Sequence, residues 1–165
     1  MAQTVRNCSD LGVNAQYIVK RLLANQDLLK LLYYTDKDPL NHEDLTEEQI
    51  KNEVFEKLIK ITPRVGPKET ANSIVAIRIA RGRGLAQNNE FKNVVIGIEV
   101  FVPMTQWIIK DTNLRPFAIM GEIQKSLNNK KIEGLGKLTG GDFDLNFLTE
   151  EISAYEQIFS LTSYD

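Results

Sequence analysis

This chain is poor in the side chains that most often carry chemistry. It has one cysteine, Cys8, and one histidine, His42. A lone cysteine excludes an internal disulfide and a cysteine-rich metal site, and it agrees with a reducing compartment. His42 stands in the polar run Asn41-His-Glu-Asp44 without a nucleophile beside it, and Cys8 lies in a polar N-terminus. Neither a general base nor a Cys–His pair takes shape from these. No apolar run approaches the ~18 residues that span a bilayer, and the first ten residues lack the apolar core of a signal peptide. We therefore expect a chain made in the cytosol that stays soluble, with no membrane partner. The net charge of −2 supplies no global pull toward nucleic acid or anionic lipid. There is no internal repeat and no low-complexity tract. These absences leave no catalytic set, no metal site and no cofactor-binding motif, so the expectation is a protein that is not an enzyme.

What is present is an ordinary globular composition, 42% hydrophobic and 25% charged. At 165 residues the chain is most simply one domain, able to bury roughly 70% of its unfolded surface. We expect a flexible N-terminal segment, 1–12, followed by a single α+β domain, 13–165. Its most informative feature is a pair of alternating segments, 73–80 and 94–102. Val75, Ile77 and Ile79 share one face of the first, and Val94, Ile96, Ile98, Val100 and Val102 one face of the second. With a turn centred on Asn88–Asn89, Ile77 faces Val100 and Arg78 faces Glu99, and both apolar rows fall on one side. A slip of one residue breaks that agreement. The result is a long hairpin with a basic, protruding loop.

The rest of the chain supplies the body. Ala15, Ile18, Val19, Leu22 and Leu23 form a helical stripe, and Asn25 suits the N-cap of a second helix carrying Leu28, Leu29, Leu31, Leu32 and Tyr33. Thr46-Glu-Glu-Gln49 is a capping box, opening a helix with Ile50, Val54, Leu58 and Ile61 that stops at Thr62–Pro63. Residues 63–70 hold two prolines and a glycine and form a connector. Pro116 suits the first turn of a further helix, on which Phe117, Met120, Ile123 and Leu127 share a face. Residues 142–147 alternate with Phe143, Leu145 and Phe147 inward. Residues 153–163 alternate again through Tyr155, Gln157, Phe159 and Leu161. Strands and helices in this order, without a βαβ rhythm, predict an α+β fold: a small antiparallel or mixed sheet built from two hairpins, with helices on one face.

Several motifs carry weak chemistry. Gly134-Leu-Gly-Lys-Leu-Thr139 lacks the leading glycine and the final Ser or Thr of a phosphate-binding loop, and a helix-to-strand turn explains its glycines. Asp142 and Asp144 share one strand face, which an outward polar face explains without a cation. Arg81-Gly-Arg83-Gly offers two guanidiniums on flexible backbone, suited to phosphate or to an acidic protein surface; a solvated loop tip is the plain alternative. Trp107, with Ile108 and Ile109, suits core or a subunit contact.

Larger phrases carry a resemblance. The helical Asn25-Gln-Asp-Leu-Leu-Lys-Leu-Leu-Tyr-Tyr34 running toward Asp38-Pro-Leu40, the strand Ile98-Glu-Val-Phe-Val-Pro103, and Leu114-Arg-Pro-Phe117 with its helix leading to Gly134-Leu-Gly136 carry it. With the final alternating hairpin, they make residues 14–165 resemble the tail-terminator (tail completion) proteins of long-tailed bacteriophages. The resemblance implies a small α+β subunit that forms a ring, typically of six, on the head-proximal end of the tail tube. Such a ring stops tube polymerisation and joins tail to capsid neck. It implies as partners the chain itself, the tail tube protein, a neck or head-completion protein and DNA passing through the lumen, and it implies location in the virion. Arg81, Arg83, Asn89 and Lys92 are the expected loop contacts, and Phe101 and Trp107 the expected apolar interface residues. The alternative is a small nucleic-acid-binding module that uses the basic hairpin 81–92.

Overall fold

Asn25 sets the helical layer. Its Oδ1 accepts the Leu28 N–H at 3.1 Å, the N-cap geometry expected from sequence. The helix it opens, α2 (Gln26–Tyr33), buries Leu28, Leu29, Leu31 and Leu32. Each of these is worth about 1.5–3 kcal/mol relative to exposure. The Asn25 amide also donates to the Glu122 carboxylate at 3.1 Å and the Ser126 hydroxyl at 3.0 Å, tying α2 to α4 (Arg115–Leu127). The computed structural model describes residues 8–62, 71–84, 91–132 and 136–162. Helix α1 (Cys8–Leu23) buries Leu11, Ala15, Ile18, Val19 and Leu22 along one stripe. Residues 8–12, assigned from sequence to a flexible arm, are helical here; residues 1–7 lie outside the described residues.

The capping box forms as expected, with Thr46 and Gln49 bonding reciprocally at the start of α3 (Glu47–Gln49). The long helix expected after it does not. The chain passes into one π turn, Ile50–Val54, closed by the Phe55 N–H on the Ile50 carbonyl at 2.9 Å. Glu56 then takes a positive φ of 62°, which ends helical geometry. Ile59–Ile61, expected at the end of that helix, is instead strand β1, parallel to β2 (Ile74–Gly84).

With β3 (Phe91–Pro103), β4 (Lys131–Ile132), β5 (Gly136–Leu148) and β6 (Ile152–Thr162), these make one six-stranded sheet ordered β1-β2-β3-β6-β5-β4. Every pairing except β1–β2 is antiparallel. The α+β class with two long hairpins is therefore as expected. The hairpins β2–β3 and β5–β6 join through β3–β6, and α1 and α4 pack on one face. That face carries Val75, Ile77, Val94, Ile96, Ile98, Val100, Val102, Phe159 and Leu161, all buried.

The hairpin register differs from expectation by two residues: Ile77 lies opposite Ile98 and Arg78 opposite Gly97. A two-residue slip keeps every side chain on its face, so alternation alone does not exclude it. A bulge between Ile79 and Arg81 also adds a residue to β2, and one opposite Arg83–Gly84 adds a residue to β3, and symmetric counting misses both. In β5, Gly140 (φ 138°) and Gly141 (φ 109°) carry a bulge. A Cβ on Gly140 would meet the Ile158 carbonyl at 2.5 Å, and one on Gly141 the Gln124 amide at 2.6 Å, so both positions need glycine. A second bulge after Leu145 turns Phe147 to lie opposite Ala154, away from the helices, against the expectation that Phe143, Leu145 and Phe147 share a buried face.

Helix α4 begins at Arg115 with Pro116 in its first turn, and its buried side is Pro116, Ile119, Met120, Ile123 and Leu127. Phe117, expected inside, is 38% exposed at the rim. Arg115 itself has no exposed surface. Its Nε donates to the Gln106 carbonyl at 2.9 Å, one terminal nitrogen to Leu31 and Tyr34 at 2.7 Å each, and the other to Asp36. Burial pushes its pKa below the ordinary guanidinium value, and the nearby Asp36 carboxylate opposes that. The Leu31 and Tyr34 carbonyls stand at the negative end of α2, which favours a cation there. Replacing Arg115 with Ala leaves these buried acceptors without a donor, and we expect a loss of about 4 kcal/mol or more in urea unfolding. Arg115→Lys should be nearly as harmful, because one ammonium cannot reproduce the planar fork. Near-native stability for either variant would contradict this role.

Candidate interaction surface

Away from the helices, the sheet carries a polar layer. Arg78 on β2 reaches across β3 to Glu156 on β6, with Nε at 2.9 Å and a terminal nitrogen at 2.6 Å from one carboxylate oxygen. The expected Arg78–Glu99 pair is thus replaced by Arg78–Glu156. Glu156 raises the Arg78 pKa, chiefly through that hydrogen bond. Gly97 makes the crossing feasible, because a Cβ there would overlap the Glu156 carboxylate and meet Arg78 Nε at 3.1 Å. Glu99 is buried and accepts from the Asn146 amide, linking β3 to β5.

The sequence-expected contact residues separate. β2 runs to Gly84, so Arg81 and Arg83 belong to the strand, where both are exposed. The bulge at Ala80 places them opposite Val95 and Asn93, on the same face as Arg78. Asn89 lies outside the described residues. Lys92 is in β3, and its side chain lies outside what the structure describes. Phe101 is half-buried between Ile74 and Ala154 in the sheet, on that same face. Trp107 sits elsewhere, half-buried, its ring 6.1 Å from Tyr155.

Trp107 borders an apolar patch on the helix side. The Phe117 ring lies 5.3 Å from Tyr155 and 5.8 Å from Phe143, and Phe143 lies 6.1 Å from Tyr155. Phe143 is 49% and Leu145 51% exposed, because α4 begins beside Phe143, at Phe117, and runs from there toward Gly141, away from the end of β5. The patch adjoins an open sheet edge: β4 pairs with β5 only at Lys137 and Gly136. Gly140 N–H is held by Asn128 at 3.2 Å and the Gly141 carbonyl by Gln124 at 3.1 Å. Beyond them, no strand pairs with the outer side of β5 among the described residues. An exposed apolar patch beside an unpaired strand edge is suited to protein contact.

The other end of the sheet has a counterpart. Between α1, the π turn and β1 runs a groove of about 750 Å³ lined by Val19, Leu23, Ile50, Phe55, Ile59 and Ile61. Phe55 and Ile61 remain exposed at its mouth. Sequence reasoning missed both surfaces. Phe143 and Leu145 obey the same alternation as buried strand residues, and only the point at which α4 starts over β5 decides their exposure. His42 is as expected on the surface, stacked 3.9 Å from Tyr34 and bonded to Asp36 at 2.7 Å.

A family model described as YomW matches residues 25–161. The chain belongs to the YomW family. The family is phage-derived, so the phage association implied by the sequence resemblance stands at that level. No curated protein matches the chain. The YomW match runs from the α2 cap to the end of the sheet and so includes Arg115, the apolar patch and the β1 edge, while α1 precedes it.

For the polar layer, Gly97→Ala should displace Glu156 from Arg78 and cost about 2 kcal/mol in thermal or urea unfolding. An unchanged midpoint would show that the layer has slack to absorb a methyl group.

Proposed function

We propose that this chain is a non-enzymatic structural protein of a tailed phage. It forms a ring of about six copies at the head-proximal end of the tail tube, stops tube growth and joins tail to neck. The carrying observation is one sheet with an apolar-flanked β5 edge that, beyond β4, no strand covers among the described residues, and an apolar groove at its β1 end. Such surfaces suit repeated contact between subunits. The proposed partners are the chain itself, the tail tube protein and a neck or head-completion protein, with DNA passing through the lumen, and the proposed location is the virion. Membership of a phage-derived family supports the reading.

A nucleic-acid-binding module is the alternative, and it draws on the alignment of Arg81 and Arg83 on one face. That face also carries Glu156, Asp142 and Asp144, and Arg78 is engaged by Glu156, which weakens the pull on phosphate.

The test mixes purified chain with tail tubes and images them by electron microscopy. We expect a density cap on one end of each tube and an end to elongation when tube protein is added. Tubes with bare ends that keep growing would overturn the proposal.

A further inference from the structure

Two stretches of strand edge carry opposite charges at the same spacing. β1 pairs with β2 only from Val75 to Ile77, and among the described residues no strand pairs with the outer side of β2 from Arg78 to Gly84. Along that stretch Arg81 and Arg83 stand two residues apart on the face away from the helices, both exposed. Ile79, on the helix side, and Ala80 are exposed as well, and Gly82 between the arginines carries no side chain. At the far side of the sheet, Asp142 and Asp144 stand two residues apart on the uncovered part of β5, opposite Ile158 and Glu156. Both are exposed, on the same face as the arginines. None of the four enters an ion pair among the described residues.

We propose that β5 of one copy of this chain pairs with the outer edge of β2, residues 79–83, in a second copy. The contact sets Asp144 against Arg81 and Asp142 against Arg83. Charge argues this occupant: two carboxylates two residues apart meet two guanidiniums at the same spacing, and antiparallel strands match such rows one to one. Three successive antiparallel pairings separate β2 from β5, so β5 of a second copy in the same orientation runs antiparallel to β2.

The other face and the backbone agree with the register that charge selects. On the helix side Phe143 lies over Gly82, where no side chain competes, and Leu145 falls beside Ile79 and Ala80. The Val75 N–H points outward to the Leu58 carbonyl, and alternation counted along β3 turns Gly82 outward too. The Thr149 N–H points inward to the Ile152 carbonyl, and alternation counted along β6 turns Phe143 outward. Gly82 and Phe143 therefore present N–H and C=O groups to each other. A slip of one residue loses the ion pairs and these hydrogen bonds together.

The contact is heterologous, joining one edge to a different edge, so each copy offers both halves. Repeated with a constant rotation it closes into a ring, and otherwise it propagates as a filament. The inference deepens the ring reading and rests on it for closure.

The test is charge reversal. One variant carries Arg81→Glu with Arg83→Glu, a second Asp142→Lys with Asp144→Lys, and a third all four changes. The four sites are exposed, so folding should survive, and circular dichroism checks it. Self-association is read by sedimentation velocity and tube capping by electron microscopy. We expect either reversal alone to weaken association by about tenfold or more. The fourfold variant, and an equimolar mixture of the two double variants, should recover it. Should a reversed chain lose its native spectrum, Asp142→Asn with Asp144→Asn takes its place, and it should weaken association and flatten its salt dependence. Association that ignores both reversals, or that is lost in each and not recovered by combining them, overturns the pairing. Tubes capped equally by the parent and by both reversed chains leave the terminator reading standing and the edge pairing wrong. Oligomers that obey the charge rule but cap no tube do the opposite. A parent chain that neither associates nor caps sinks both.

Discussion

The buried Arg115 guanidinium is the constraint on which the rest of this fold depends. It draws together carbonyls from the end of α2, the following loop and the turn before α4, which the chain contributes from separate segments. Those segments could not approach without a donor, since each brings orphan acceptors into the interior. With the guanidinium in place, α4 starts at a fixed point and angle. That start decides how far the helix extends over the sheet, and so which part of β5 is left uncovered. A buried interaction on one side of the molecule thereby sets the exposed surface on another.

The sheet adds a second constraint. Two long hairpins joined at β3–β6 give four well-paired strands, while β1 and β4 cover only short parts of the flanks. The glycine bulge at Gly140–Gly141 lets β5 curl over Gln124 while its far end stays open. Natural proteins usually blunt such edges with charge or proline. Here the face away from the helices does carry Asp142 and Asp144, while the helix side offers Phe143 and Leu145. An edge that is charged on one face and apolar on the other discriminates among partners, accepting one whose two faces match. On the function proposed here, recognition rests on the geometry of what the chain leaves uncovered.

Local features were legible in the sequence because local physics decides them. The Asn25 cap, the Thr46–Gln49 box, the start of α4 at Pro116 and the alternation of both hairpins follow from side chains a few residues apart. What was not legible depends on distant chain. Ile59-Lys60-Ile61 is too short to declare itself a strand, and it becomes one by pairing with β2. The two-residue offset between Ile77 and Val100 leaves the face pattern unchanged, so the sequence carries no trace of it. Arg115 looks like any charged residue before a proline until the Leu31, Tyr34, Asp36 and Gln106 carbonyls surround it. For the surface, Arg81 and Arg83 were noticed for their charge and Trp107 for its size. Phe143, Leu145, Phe55 and Ile61 escaped because an apolar residue in a regular pattern is assumed to be covered.

The central claim is that the uncovered end of β5 is a protein contact when the protein works. Amide hydrogen exchange, measured on the free chain and on the chain bound to tail tubes, tests it most directly. The account predicts that binding slows exchange along residues 142–148, while the already paired centre of the sheet changes little. Protection gained elsewhere, with the β5 edge exchanging as fast as in the free chain, would contradict it.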